Sequence, residues 1–214
     1  MLHTRICDML GIEHPIISAP MSGGIAAADL VAAVSEAGGF GLIGGMTTGG
    51  PEWLREQIRK VRQLTNKPFG VGLISSFPGL DEFVKVALEE QVVAMSHSFA
   101  DPTHYIPAAH ASGVKVIAQV QTVAQAVVAA QAGVDILVAQ GTEAGGHTGY
   151  SGTLPMVTAV LDIAGDLPVL AAGGIADGRG LAAVLVLGAE APGWVHASMP
   201  AGSQVERTGK KIAC

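Results

Sequence analysis

The stretch AQGTEAGGHTG at residues 139–149 places one histidine in a glycine-rich loop directly after a short apolar run. An apolar run that ends abruptly in glycine predicts a buried strand followed by a loop. Glycines let a backbone approach a ligand closely, and imidazole is the side chain best suited to proton transfer near neutral pH. His147 is therefore the leading candidate for a catalytic residue. The competing interpretation is a loop histidine that only caps a backbone group.

A second glycine pair, Gly173 and Gly174, also follows an apolar run and precedes Asp177 and a helical pattern. In barrels of parallel strands, the loop after the seventh strand commonly binds phosphate through backbone amides and a helix N-terminus. A tight turn from strand to helix has the same sequence pattern. Of these two interpretations, we favour the phosphate site.

Other polar or flexible side chains lie where apolar runs end. Met21, in the segment Ala19-Pro20-Met21, could pack on a flat ring, although methionine more often fills a core. Gln119 and Gln140 could hydrogen-bond a polar heterocycle, or serve the fold alone. His97 is a weaker candidate for a group that faces substrate, because no glycines open the backbone around it.

These candidates need strands whose carboxyl ends meet at one rim. Apolar runs alternate with helical patterns along the chain, which predicts a parallel sheet with right-handed crossovers. Seven such units favour a TIM (β/α)8-type barrel over an open doubly wound sheet. The predicted strands are residues 16–20, 40–43, 68–74, 92–96, 114–120, 134–139 and 167–171.

The eighth unit of this barrel is incomplete in the sequence. Residues 181–187 predict a helix, but Pro192 and Gly193 oppose a central strand after it. We therefore expect a barrel domain over residues 1–190 and an irregular tail over residues 191–214. Without a regular eighth strand, the first and seventh strands are expected to keep unpaired edges.

Composition restricts the class of protein. The 214 residues are 49% hydrophobic and 14% charged, which fits one domain with a sizeable core. A net charge of −6 without a basic cluster argues against a nucleic-acid partner. The start lacks the apolar core of a signal peptide, and no run is long enough to span a membrane. Two widely separated cysteines, Cys7 and Cys214, favour a reduced, cytoplasmic protein.

Two other classes of enzyme lack their motifs in this chain. No G-x-S-x-G elbow supports a serine hydrolase. No pair of histidines has the spacing of zinc ligands, so no metal site is expected.

Three ordered segments resemble the nitronate monooxygenase family, formerly called 2-nitropropane dioxygenases. They are PIISAPMSGGIAAADLVAAVSEAGGFGLIGG, AQGTEAGGHTG and PVLAAGGIADGRGLAAVLVLGAE, and the likeness covers about residues 4–190. The resemblance implies a TIM barrel that binds FMN without covalent attachment and oxidises alkyl nitronates with O2. Flavin-dependent enoyl-ACP reductases carry nearly the same motifs.

The resemblance also implies roles for individual residues. His147 would be catalytic, either as a base toward a nitroalkane or as a group that orients the nitronate. The cofactor-binding residues would be Ala19, Pro20 and Met21 along the flavin ring, Gln119 and Gln140 near its polar edge, Gly145 and Gly146 in the histidine loop, and Gly173 and Gly174 at the phosphate.

The chain departs from the family pattern in two places. Gly72 stands where such enzymes often have asparagine, which removes an amide from the pocket. Beyond Glu190, relatives continue with an apolar strand and a Gly-Thr-Arg turn that completes the phosphate site, whereas residues 191–214 diverge. We therefore expect weakened FMN affinity. An enoyl-ACP reductase and an inactive remnant stay open as alternatives, as does a homo-oligomer in which the open barrel closes against another subunit.

Overall fold

The computed structural model describes residues 2–193 of the chain. In this range helices alternate with strands, as the apolar pattern predicts. The helices are α1 (Arg5–Leu10), α2 (Ala28–Glu36), α3 (Gly50–Leu64), α4 (Leu80–Glu89), α5 (Ile106–Ala111), α6 (Val123–Ala132), α7 (Thr153–Ala164) and α8 (Gly178–Val186). The strands are β1 (Gly41–Gly44), β2 (Phe69–Ile74), β3 (Ala94–Ser98), β4 (Lys115–Val120), β5 (Ile136–Gln140), β6 (Val169–Ala172) and β7 (Ala191–Pro192).

All seven strands are parallel and pair in chain order from β1 to β7. Chain-order pairing with a helix in every crossover is the pattern of a barrel that curls on itself. The predicted TIM-type barrel, incomplete at its eighth unit, is confirmed. The second to seventh predicted strands correspond to β1 to β6.

The first predicted strand, residues 16–20, forms isolated bridges at Ile17 and Ser18 instead of a ladder. Ile17 pairs with Phe40 in parallel orientation, and the Ser18 N–H donates to the Phe40 carbonyl. Beyond that point the Ser18 hydroxyl accepts from the Leu42 N–H at 3.0 Å, so a side chain takes the place of the next backbone partner. The segment therefore lies at the barrel edge without forming a regular strand.

The two ends of the sheet meet at Pro192. β7 pairs with Leu170 and Ala171 of β6, and the Pro192 carbonyl accepts from the Ile17 N–H at 3.4 Å. A proline cannot donate to a ladder, but its carbonyl still accepts. The expectation that proline prevents this strand, and that both edges stay unpaired, is wrong at this contact. The barrel continues past residue 190, and residues 194–214 of the predicted tail lie outside the described residues.

Alternate side chains of each strand enter two separate cores. In β5, Ile136 and Val138 point into the barrel, whereas Leu137 and Ala139 pack under the helices. The lower end of the barrel interior is closed by buried residues of α1, namely Ile6, Cys7 and Leu10. Because the interior is filled from below, the space for a ligand lies at the carboxyl ends of the strands.

The segment after Ile17 crosses the strands near their carboxyl ends, where two glycines leave space for it. A Cβ atom built on Gly72 would overlap the Pro20 ring, and one built on Gly44 would overlap the Met21 carbonyl. Neither backbone nor a proline ring can yield enough to relieve such a clash. Gly72 therefore admits Pro20, and the absence of a side chain at this position has a packing reason.

We expect Gly72→Ala to lower the free energy of unfolding by about 1–3 kcal/mol, the usual cost of overpacking. The matched control is Gly178→Ala, because a Cβ atom there meets nothing within 4 Å and its φ is not positive. Urea unfolding of both variants measures the difference. Equal midpoints for the two variants would contradict the packing of Pro20 on Gly72.

Candidate functional site

A cavity of about 300 Å³ opens at the carboxyl ends of the strands. Eight of the predicted site residues line it, and they come from four separate parts of the chain: Ala19, Pro20, Met21, Gln119, Gln140, Gly145, Gly146 and His147. Neighbouring positions that sequence reasoning did not single out complete the wall, namely Ser22, Ile25, Leu73, Ile74, Ser98 and Phe99, together with Gly72. The structure thus brings these eight predicted residues together at one cavity.

His147 lies at the mouth of this cavity on the loop that follows β5. Its ring meets the Phe99 ring edge to face, with the centroids 5.6 Å apart. Its backbone carbonyl accepts from the Gln121 side-chain amide at 2.7 Å. Gly146 takes a positive φ of 80°, a conformation that glycine adopts without strain. The loop therefore holds an exposed imidazole within reach of the cavity.

Phe99 is a residue of this site that the sequence reasoning missed. It follows β3 directly and has a φ of 69°, which is rare for a bulky side chain. Such strain persists only where surrounding structure holds it, and it is frequent at functional sites. Its position after a strand was the only signal in the sequence, since a phenylalanine there is otherwise ordinary core material.

The polar wall of the cavity consists of glutamine amides. The Gln119 amide donates to the Gln140 side-chain oxygen at 2.6 Å, and the Ser98 hydroxyl donates to the Gln119 oxygen at 3.0 Å. Gln121, which sequence reasoning also missed, donates to the same Gln140 oxygen at 2.8 Å. These groups are neutral, so the wall can hydrogen-bond a polar ligand without imposing a charge.

Glu143 fastens the histidine loop to the start of α7. One of its carboxylate oxygens accepts from the Thr153 N–H at 2.8 Å, the Thr153 hydroxyl at 2.9 Å and the Thr142 hydroxyl at 3.2 Å. The hydrogen bond from its own backbone N–H, followed by those from Thr153 and Thr142, lowers the pKa of Glu143 against the opposing effect of burial. A carboxylate at a helix N-terminus is also favoured by the helix dipole.

Gly173 and Gly174 do not line this cavity. Both have positive φ, at 127° and 68°, and a Cβ atom on Gly173 would overlap the Thr153 hydroxyl. At the start of α8 the Asp177 carboxylate already accepts from the Arg179 N–H at 2.9 Å and the Gly180 N–H at 3.4 Å. A phosphate here would therefore use the amides of the glycine turn rather than those first-turn amides, and its binding stays a prediction.

The weaker candidate, His97, does not face the cavity. It is buried toward the helix layer, where its Nδ1 lies 2.9 Å from the Ser75 hydroxyl and its ring stacks on Tyr105. Burial lowers the pKa of His97 to about 4, so the ring is neutral at pH 7. The hypothesis that His97 is a group that faces substrate is wrong, because this position of β3 points away from the barrel interior.

Within residues 2–193, no three histidine, cysteine, aspartate or glutamate side chains lie together as a metal site would require. Over the same range, no helix combines the length and the apolar character needed to cross a bilayer.

Residues 3–83 and 79–193 match a family model described as nitronate monooxygenase. Among curated proteins, the nitronate monooxygenase of Pseudomonas aeruginosa is 39% identical, over 87% of this chain and 66% of its own length. A 5-hydroxy-7a-methyl-1-oxo-octahydro-1H-indene-4-carboxyl-CoA dehydrogenase of Rhodococcus jostii is 38% identical, over 88% of this chain and 52% of its own length. The chain thus spans about half the length of some curated relatives.

Solved structures are also similar to this chain. FabK from Thermotoga maritima superimposes with a TM-score of 0.87 at 44% identity, over 91% of this chain and 61% of that one. A nitroalkane oxidase from Streptomyces ansochromogenes superimposes with a TM-score of 0.81 at 31% identity, over 88% of this chain and 66% of that one.

The lowered pKa of Glu143 makes the loop attachment depend on pH. In the unfolded chain this carboxyl titrates near 4.5, and in the folded chain its pKa is lower. The stabilisation is therefore complete above pH 4.5 and disappears as the pH falls through the folded-state pKa. We expect Glu143→Gln to unfold at a lower temperature than the unmodified chain at pH 7, with a gap that narrows on acidification.

Thermal unfolding between pH 7 and pH 3.5 measures this gap. The control is Glu56→Gln, because the Glu56 side chain is exposed and makes no ion pair or hydrogen bond within residues 2–193. A gap for Glu143→Gln that stays constant over this range would show that the carboxylate charge does not hold the loop.

Proposed function

This chain belongs to the nitronate monooxygenase family, and we propose on that premise that it is an FMN-dependent oxidoreductase that oxidises alkyl nitronates with O2. The observation that carries the proposal is the position of His147 at the mouth of a cavity whose wall includes Pro20, Met21 and the paired glutamines. An imidazole beside a neutral, hydrogen-bonding pocket suits proton transfer next to a flat heterocycle.

The residues of the cavity fit a flavin ring. Pro20, Met21 and Ile74 offer apolar surface, while Gln119 and Gln140 offer amides for the ring nitrogens and carbonyl groups. A volume of about 300 Å³ is at the small end for a cofactor site, so it suits the ring system rather than all of FMN. The glycine backbones at residues 145–146 and 173–174 would hold the remainder.

In this proposal His147 acts on the substrate directly. Its imidazole would remove a proton from the carbon beside a nitro group, or donate a hydrogen bond that orients a nitronate oxygen. Phe99 packs against the ring and limits the positions it can take. FMN, when bound, supplies the electron acceptor that these side chains lack.

A second candidate function is a flavin-dependent enoyl-ACP reductase. The 44% identity to FabK favours it. NADH-driven reduction of bound FMN, followed by reoxidation with an enoyl thioester, would distinguish this activity from oxidation of a nitronate. The remaining alternative is an inactive remnant, which would bind flavin poorly or not at all.

We also propose a cellular location and partners for the enzyme. We place it in the cytoplasm, where the buried, unpaired Cys7 would stay reduced. Its partners would be small molecules, namely a nitronate or nitroalkane and O2. A homo-oligomer is compatible with the exposed apolar residues of α8, of which Val186 is 88% exposed.

We expect His147→Gln to lower the rate of nitronate oxidation at least a hundredfold, because proton transfer by a placed side chain contributes about 10²–10⁴ in rate. Oxygen consumption with propionate 3-nitronate measures the rate, and the visible spectrum measures bound FMN. His104→Gln is the control, since His104 is exposed and does not line the cavity. An unchanged rate in His147→Gln would exclude this residue from the chemistry.

A further inference from the structure

Gln121 joins the histidine loop to the glutamine wall. It follows β4 directly, and its side-chain nitrogen donates both to the His147 carbonyl at 2.7 Å and to the Gln140 side-chain oxygen at 2.8 Å. A Cβ atom on Gly149 would lie 3.1 Å from the Gln121 Cβ, so the loop also packs closely on this residue. One amide therefore bridges two parts of the proposed site.

The His147 carbonyl determines the direction of every hydrogen bond in this network. A backbone carbonyl only accepts, so the Gln121 atom that faces it must be the NH2 group. The Gln140 atom 2.8 Å from the same nitrogen must then be oxygen. The orientation of glutamine amides is otherwise ambiguous, but here one fixed acceptor leaves a single assignment.

Gln140 in turn determines the orientation of Gln119 at the end of the network. The Gln140 oxygen lies 2.6 Å from Gln119, so that Gln119 atom must be nitrogen. The remaining Gln119 oxygen then accepts from the Ser98 hydroxyl at 3.0 Å. Two donors thus meet at the Gln140 oxygen. Neither of these bonds uses the Gln140 NH2 group. Gln140 itself lines the cavity.

We propose that Gln121 is a positioning residue that holds the Gln140 amide with its NH2 group toward the cavity and keeps the His147 loop beside it. The site would therefore take a ligand that presents a hydrogen-bond acceptor at this point. The identity of that acceptor rests on the proposed function, where it is a ring nitrogen or carbonyl of FMN. The orientation of Gln140 itself does not rest on that function.

The decisive variant is Gln121→Glu, which keeps the shape of the side chain but replaces its donor with an acceptor. Gln140 must then turn to donate its NH2 group to the new carboxylate, which places its oxygen at the cavity. Gln119 must turn with it, so that its oxygen accepts from Gln140 and its NH2 group donates to the Ser98 hydroxyl. Gln121→Met is the companion variant, because it removes the bridge without reversing it. Gln131→Glu introduces the same charge at an exposed position of α6, away from the cavity, and is the control.

Two measurements without FMN test the bridge itself. Side-chain ¹H–¹⁵N spectra should show one Gln140 amide proton moving downfield in Gln121→Glu, as expected for a hydrogen bond to a carboxylate, and unmoved in Gln131→Glu. Hydrogen exchange over residues 141–149 should be faster in both Gln121 variants. An unmoved Gln140 signal or unchanged exchange would overturn the proposal, whether or not the chain binds FMN.

A titration with FMN then tests the acceptor. We expect its dissociation constant to rise at least tenfold in Gln121→Glu, to rise less in Gln121→Met and to change less than twofold in Gln131→Glu, since one hydrogen bond is worth about tenfold. Equal affinities for FMN in the two Gln121 variants would overturn the proposed orientation of the Gln140 amide toward the cavity. Gln121 would then be a structural bridge alone. If the unmodified chain takes up no FMN but the Gln140 signal still moves in Gln121→Glu, the proposed function is refuted and the Gln121 bridge is supported.

Discussion

The parallel pairing of seven strands in chain order is the constraint on which the site depends. It brings the carboxyl ends of β3, β4 and β5 to one rim, where Ser98, Gln119 and Gln140 meet through hydrogen bonds. The segment at residues 19–22 reaches the same rim because glycine at two strand ends leaves space for it. With the lower barrel filled by apolar side chains, this rim is where the barrel offers a cavity to a ligand.

Within residues 2–193, no charged side chain lines the cavity, and charged groups instead fix the elements around it. Glu143 holds the histidine loop to α7, and Glu90 binds three arginines of α3, so that α3 and the end of α4 are joined. Among the described residues, the polar side chains of the cavity wall are neutral amides, the hydroxyls of Ser22 and Ser98, and one imidazole. Such groups can bind, orient and move a proton but cannot accept electrons, which is why the proposed oxidation needs a flavin.

Much of this arrangement could be predicted from the sequence, because apolar runs ending in glycine mark strands whose carboxyl ends share a rim. Gln140 and His147 follow such a run, and Gln119 lies near the end of another apolar run. The face of His97 could not be predicted, since the alternation of β3 does not reveal which side enters the barrel. Gln121 and Phe99 could not be predicted either, because they lie just beyond strands, where no periodicity applies. The hydrogen bond at Pro192 was missed because proline is judged in a sequence by its missing N–H, whereas its carbonyl still accepts.

The central claim is that the cavity between Pro20, Gln140 and His147 binds the flavin ring. The most direct measurement is a visible absorption titration of the purified chain with FMN, followed by propionate 3-nitronate in the absence of oxygen. We expect saturable binding with shifted flavin bands, and a further change of those bands when the nitronate is added. A colourless protein that leaves the spectrum of added FMN unchanged would contradict it.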